Sequence, residues 1–335
     1  MLLRSRRRRS FALLAGILLW IPAEVAHAQP APVAAMFSDD QKRDASLASS
    51  FLVVDLPATT VAAFPAHVYL SAGDVERAFD RAEFRPDAAI VPTNTDLLTT
   101  AQSPATQRVL IDRVRKQPEV MRDLDDQIAT VRKQPASTGG EQGLLRIGVD
   151  TFMAHLPRRA SDSQKSGAFP KAACFVATDF ANGGAVDRRE LFVQDRVRKG
   201  IAGCLAALDA AGAQSLVLPL VGAGSSREQA NDALYEGQRV LKECRLINAT
   251  AGIALGIHDF AETRRSLREI GLVQWDREII VMFKVPKGSR AAKSAQAAYR
   301  EYAEQIQQAF RKGLAGEKTV ASDVNGSCRA IFNGQ

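Results

Sequence analysis

Short runs rich in Val, Ile and Leu recur along this chain with helix-period segments between them, and that alternation limits the fold more than any other feature. The runs are Phe51–Leu56, His67–Leu70, Ala88–Pro92, Leu144–Val149, Ala173–Asp179, Ser215–Gly222, Gly252–Asp259 and Glu278–Val285. Several lack the apolar/polar alternation of a strand with one wet face, as expected where both faces are covered. Helical patterns occupy Thr106–Lys133, broken or kinked at Pro118, and Arg188–Ala211, with Leu191, Val197, Ile201, Leu205 and Leu208 on one face. Arg227–Cys244, Ser266–Ile270 and Arg290–Leu314 continue the helical pattern. Strands and helices in this order predict a three-layer α/β/α domain with a mixed, largely parallel sheet. With 46% hydrophobic residues, the chain has ample material for its core.

One joint in this alternation carries chemistry. Ser215–Ser226 reads SLVLPLVGAGSS, an apolar run ending in Gly222-Ala223-Gly224 with a helical pattern behind it. Glycine lets a phosphate approach the main chain, and N–H groups at a helix start converge on an anion. The same glycines also serve a plain tight turn, so both readings stand at this point.

The first 28 residues have a different character. Arg4 and Arg6–Arg9, an apolar run Phe11–Ile21 and the small-residue pattern Ala26-His27-Ala28 match a secretory leader. Arg8-Arg9-Ser10-Phe11 also resembles the twin-arginine export signature, and a general secretory leader fits as well. The expected organisation is a leader over 1–28, a flexible lead-in over 29–50, the α/β body over 51–286 and a helix with tail over 287–335. The expected location is the periplasm or the exterior of a bacterial cell. The leader accounts for more than half of the net charge of +7, so the body has no broad basic footprint for nucleic acid. The section after Phe260 is basic, the last twenty residues read as poorly ordered, and no stable membrane span is expected after leader removal. Cys174, Cys204, Cys244 and Cys328 lack metal-ligand spacing, and histidine is scarce, so neither a metal nor a cofactor is expected. Cys174 and Cys204, in apolar patterns, read as small buried hydrophobes; export would permit a disulfide such as Cys244–Cys328, but spacing selects no pairing.

Several segments, taken in order, resemble the macro domain family, whose members bind ADP-ribose. They are Gly73-Asp74-Val75 after a strand, Asp87–Asn94 (DAAIVPTN), Gly140-Glu141-Gln142, the small-residue turn Ala210–Ala213, Ser215–Ser226 and Gly256–Phe260 (GIHDF). Together they span about Ala66–Glu262, some three-fifths of the chain. The resemblance implies a macro-like domain that binds ADP-ribose or a related nucleoside diphosphate. It implies that Asp74 accepts from the adenine amino group, that Asn94 bonds the distal ribose, and that Phe260 stacks on adenine. Gly222, Ala223, Gly224 and Ser225 would cradle the diphosphate through backbone N–H groups. Each role has a plainer counterpart: Asp74 as a helix cap, Asn94 as a turn residue, Phe260 as core.

The chain departs from the family at the reacting end. Thr95–Ser103 holds no glycine where hydrolytic members have a glycine-rich loop, and Val91 stands in place of the motif's first asparagine. An aromatic expected in the second loop is replaced by Ser225 or Ser226. Binding is therefore favoured over hydrolysis, which stays open as an ADP-ribosyl hydrolase reading with no catalytic residue assigned. Two other readings remain. A Rossmann-type dinucleotide enzyme would use Gly222-x-Gly224 and Asp259, though Arg227 replaces its third glycine. A ligand-free envelope interaction module would use the basic C-terminal section.

Overall fold

The computed structural model describes residues 52–72, 79, 86–99, 103–133, 145–146, 148–157, 169–177, 190–222, 236–274 and 304–333. Among these, seven strands form one sheet: β1 (Leu52–Leu56), β2 (Ala66–Ala72), β3 (Ala88–Thr93), β4 (Thr151–His155), β5 (Ala172–Ala177), β6 (Ser215–Pro219) and β7 (Glu269–Gln274). The helices are α1 (Ala105–Val114), α2 (Pro118–Arg132), α3 (Glu190–Ala210), α4 (Glu236–Ala261), α5 (described over 304–314), α6 (Ala321–Val324) and α7 (Gly326–Asn333). The strand order is β1-β2-β7-β6-β3-β5-β4. The edge strands β1 and β4 run antiparallel to their neighbours, and the five between them are parallel.

Alternation along the strands sends successive side chains to opposite faces and builds two apolar clusters. Ile90, Cys174, Leu216 and Leu218 face α3, α4 and α5, meeting Val197, Ile201, Leu205, Ile247, Ile257 and Phe310. Ala89, Val91, Phe175 and Val217 face the other way, onto Leu110, Ile111 and Val114 of α1 and Val120 and Leu124 of α2. Both β3 and β5 are buried along their whole length, which explains why β5 is apolar throughout and β3 is apolar up to Thr93. The expected three-layer arrangement with a mixed, largely parallel sheet is therefore present. The break at Pro118 is present too: α1 ends before it, and Pro118 opens α2, where its missing N–H costs nothing.

Three expectations are corrected. Gly252–Asp259 is not a strand but the second half of α4. The stretch Leu246–Ile257 of this helix is covered on all sides, by α3 on one and by α5–α7 on another, so it loses the usual amphipathic stripe. Every residue from Leu246 to Ile257 is buried. Leu144–Val149 is also not a strand over its described residues. Arg146 and Asp150 close a turn there, with the Asp150 carboxylate accepting from Arg146 N at 2.8 Å, and the strand follows at β4. Ser266–Ile270 is not helical either: the Asp209 carboxylate accepts from the N–H groups of Arg265, Ser266 and Leu267, which fixes an extended approach into β7. The expected strand Glu278–Val285 lies outside the described residues.

The C-terminal tail packs against the body, contrary to the expected poor order. The four cysteines form two disulfides, Cys174–Cys204 between β5 and α3 and Cys244–Cys328 between α4 and α7. Asn248 Oδ1 accepts from Ala321 N at 2.7 Å, and Gln194 Nε2 donates to the Thr319 carbonyl at 2.7 Å. His258 Nδ1 donates to the Leu314 carbonyl at 3.0 Å, and its ring occupies the space that a side chain at Gly316 would need. The seam between α3 and α4 depends on small residues: Gly252 and Gly256 lie directly against backbone oxygens of Gln194 and Arg198.

Candidate functional site at the carboxyl ends of two parallel strands

Strands β3 and β6 lie side by side, with Ala88 opposite Leu216 and Ala89 opposite Val217. From β3 the chain runs to α1 and α2 on one face of the sheet; from β6 it runs to α4 on the other. Divergent connections of this kind open a crevice beyond the strand ends, the usual ligand position in an open α/β sheet. Asn94 directly follows β3, and Gly222 follows β6 by three residues. The tertiary structure thus brings Asn94 and Gly222 to neighbouring strand ends, although 128 positions separate them in the sequence.

Gly222 has φ +86°, a left-handed conformation that disfavours any side chain, while Val221 before it is fully buried and anchors the turn. Opposite it, the segment after β3 is tied to itself. Leu97 N donates to the Asn94 carbonyl at 3.2 Å, and Leu98 N donates to Asp96 Oδ1 at 2.9 Å. Leu145 N donates to the Thr95 carbonyl at 2.8 Å, and Ser103 Oγ donates to the Leu98 carbonyl at 3.1 Å. Asn94 is half-buried and its Nδ2 donates to Ser103 Oγ at 3.4 Å. Leu97 sits at φ +59° with only 3% of its surface exposed, so its burial holds a backbone conformation that leucine disfavours.

The turn before β4 meets the same sheet edge, where Gly148 N donates to the Ala177 carbonyl at 2.9 Å. Its form is fixed by Arg146, whose guanidinium engages both Asp150 oxygens, at 2.7 Å for Nη2–Oδ1 and 2.9 Å for Nε–Oδ2. That pairing holds the Asp150 carboxyl below its ordinary range. Thr93, the last residue of β3, has a buried hydroxyl with no hydrogen-bond partner among the described residues. Sequence reasoning missed Thr93, Leu97 and the Arg146–Asp150 turn. The i, i+4 Arg/Asp spacing was a readable signal for the turn; nothing in the sequence marked Leu97 as left-handed.

Phe260 does not belong to this site. It lies near the end of α4, is 3% exposed, and packs in the apolar cluster. Because α4 runs back from the carboxyl edge of the sheet to the start of β7, Phe260 stands at the opposite edge from Asn94. Asp259 is also helical and forms an ion pair with Arg198 of α3, with Nη2 to Oδ1 at 2.7 Å, which removes the acidic residue that a Rossmann reading requires. Asp74, Ala223, Gly224 and Ser225 lie outside the described residues, as do Gly140–Gln142. Among the described residues, no group of three or more His, Cys, Asp or Glu is placed to hold a metal. No described helix is long and apolar enough to cross a membrane.

No family model matches the sequence, and no curated protein matches it. Solved structures are similar to it at low identity. The Oceanobacillus iheyensis macrodomain with ADP is 11% identical, with 77% of this chain and 97% of that chain covered and a TM-score of 0.41. The Trypanosoma brucei macrodomain in complex with ADP-ribose is 12% identical, with 69% and 68% covered and a TM-score of 0.38. The macro domain of ganglioside induced differentiation associated protein 2 is 11% identical, with 67% and 87% covered and a TM-score of 0.38. Likenesses this loose carry nothing about ligand or chemistry.

Proposed function

We propose that this chain is a divergent macro-like domain that binds ADP-ribose or a related nucleoside diphosphate between the ends of β3 and β6, without hydrolysing it. The observation that carries the reading is the juxtaposition of Asn94 and Gly222 at a point where the connections diverge to opposite faces. Glycine at φ +86° leaves the backbone after β6 open to close approach by a phosphate, and an asparagine amide both donates to and accepts from ribose hydroxyls. The N–H groups of Leu97 and Leu98 are already bonded within their own loop, which argues against a second row of backbone donors at the reacting end. Binding without turnover is the consistent reading. We also propose export to the bacterial periplasm or beyond, supported by the leader-like first 28 residues and by two disulfides that use all four cysteines.

Calorimetry of the purified chain with ADP-ribose and ADP tests the binding reading. Saturable heat at micromolar ligand, weakened at least tenfold by Asn94→Ala with the fold intact, is expected. Absence of heat at high micromolar ligand, with folded protein confirmed by circular dichroism, refutes it. Incubation with an ADP-ribosylated peptide followed by mass spectrometry should show the modification unchanged.

A further inference from the structure

All four cysteine sulfurs lie deep inside the folded chain: Cys174, Cys204, Cys244 and Cys328 are each 0% exposed. The Cys174–Cys204 pair joins β5, the strand beside the edge strand β4, to the buried side of α3. Thiol–disulfide exchange needs a third sulfur to reach one member of the pair. Neither Cys174 nor Cys204 is reachable while α3 rests on the sheet, because uncovering them means parting the main core, which is global rather than local opening.

This burial bears on how the chain is exported, and the point rests on the export reading above. The leader allows two routes: through the general secretory channel as an unfolded chain, or through the twin-arginine channel already folded. A chain that folded in a reducing cytoplasm would arrive with its thiols sealed away from any oxidant. We infer that the chain crosses the membrane unfolded by the general secretory route and acquires Cys174–Cys204 on the far side, before α3 closes over β5. The electron acceptor is a thiol oxidase carrying its own disulfide. One cysteine thiolate attacks that disulfide to form a mixed disulfide, and the second thiolate then displaces the oxidase. The oxidase leaves as a dithiol, having accepted two electrons, while the two cysteine protons pass to solvent and the departing thiolates. Arg8 and Arg9 then act only as part of the positive leader end.

The test produces the full chain with its own leader in bacteria, followed by acid quenching, denaturation and alkylation with a maleimide polymer that shifts each free thiol on a gel. Leader cleavage with no shifted thiols is expected. It should persist in cells lacking the twin-arginine translocase and in the Arg8→Lys, Arg9→Lys variant, and should stop when azide blocks the secretory ATPase. In cells lacking the envelope thiol oxidase, the cleaved chain should carry free thiols and fall at least fivefold in amount. Cleavage that requires the twin-arginine translocase overturns the inference and leaves export standing; so does cleaved, protease-resistant chain with four free thiols in cells that possess the envelope thiol oxidase. Absence of cleavage in every strain overturns export and this inference together.

Discussion

Replacing Gly256 by alanine should destabilise the protein, although the same exchange in an ordinary helix stabilises it. In a helix interior, glycine to alanine gains about 1 kcal/mol from backbone entropy. Here a Cβ at Gly256 would stand 2.8 Å from the Arg198 carbonyl oxygen and 2.9 Å from the Ile201 Cβ. Both atoms are fixed to the α3 backbone, so no rotamer change relieves the contact and the two helices must separate. Overpacking costs 1–3 kcal/mol when side chains can yield, so the rigid case belongs near 3 and leaves a net loss of about 2 kcal/mol. Gly203 supplies the internal control. It is exposed on α3, its nearest neighbour to a new Cβ is Thr151 Cγ2 at an ordinary 3.5 Å, and Gly203→Ala should gain about 1 kcal/mol. Urea unfolding monitored by circular dichroism, with a shared slope, reads the two variants about 3 kcal/mol apart. A Gly256→Ala protein as stable as the parent would refute the close seam between α3 and α4.

Other expectations concern the disulfides, one buried hydroxyl and the turn after β6. The loops closed by Cys174–Cys204 and Cys244–Cys328 have sequence separations of 30 and 84 and do not overlap. Chain entropy assigns them about 4 and 5 kcal/mol, so reducing both should remove most of a typical domain's stability; a reduced midpoint in urea equal to the oxidised one contradicts this. Tyr69→Phe should leave stability at pH 7 unchanged or raised by up to about 1 kcal/mol, because the Tyr69 hydroxyl is buried without a partner among the described residues. A loss above 1 kcal/mol would show that the hydroxyl is bonded. Burial, reinforced by Glu269 and Asp55, pushes the Tyr69 phenol up to about 12. Its folded value thus lies above the unfolded one near 10, so its contribution is fully present below pH 10 and is lost as pH rises toward 12. Tyr69→Phe should flatten that alkaline decline in urea midpoints. Gly222→Ala, forced to φ +86°, should cost about 1–2 kcal/mol and weaken ADP-ribose binding beyond what the stability loss explains; unchanged affinity would place the phosphates elsewhere.

The parallel body was legible in the sequence because its strands are buried on both faces: β3, β5 and β6 read as short apolar runs and formed where expected. Pro118 and the left-handed Gly212 after α3 punctuate the chain through local backbone chemistry that needs no partner. The same apolar signal failed at α4. The stretch Leu246–Ile257, wrapped by α3 and by the C-terminal section, reads like a buried strand, and periodicity alone cannot separate the two. That error moved Phe260 and Asp259 from a sheet end, where a ligand would sit, to the far end of a buried helix.

Residue type and local order thus determined the fold class, the break at Pro118, the glycine turn after β6 and the asparagine after β3. These are properties of short segments and survive without knowledge of their neighbours. Tertiary structure alone decided which strands stand side by side, and so that Asn94 and Gly222 follow neighbouring strand ends. It also decided which cysteines pair and how the loop after Asn94 spends its own donors. Each of these depends on contacts between distant segments, and only the closing of two apolar faces over one sheet brings them together.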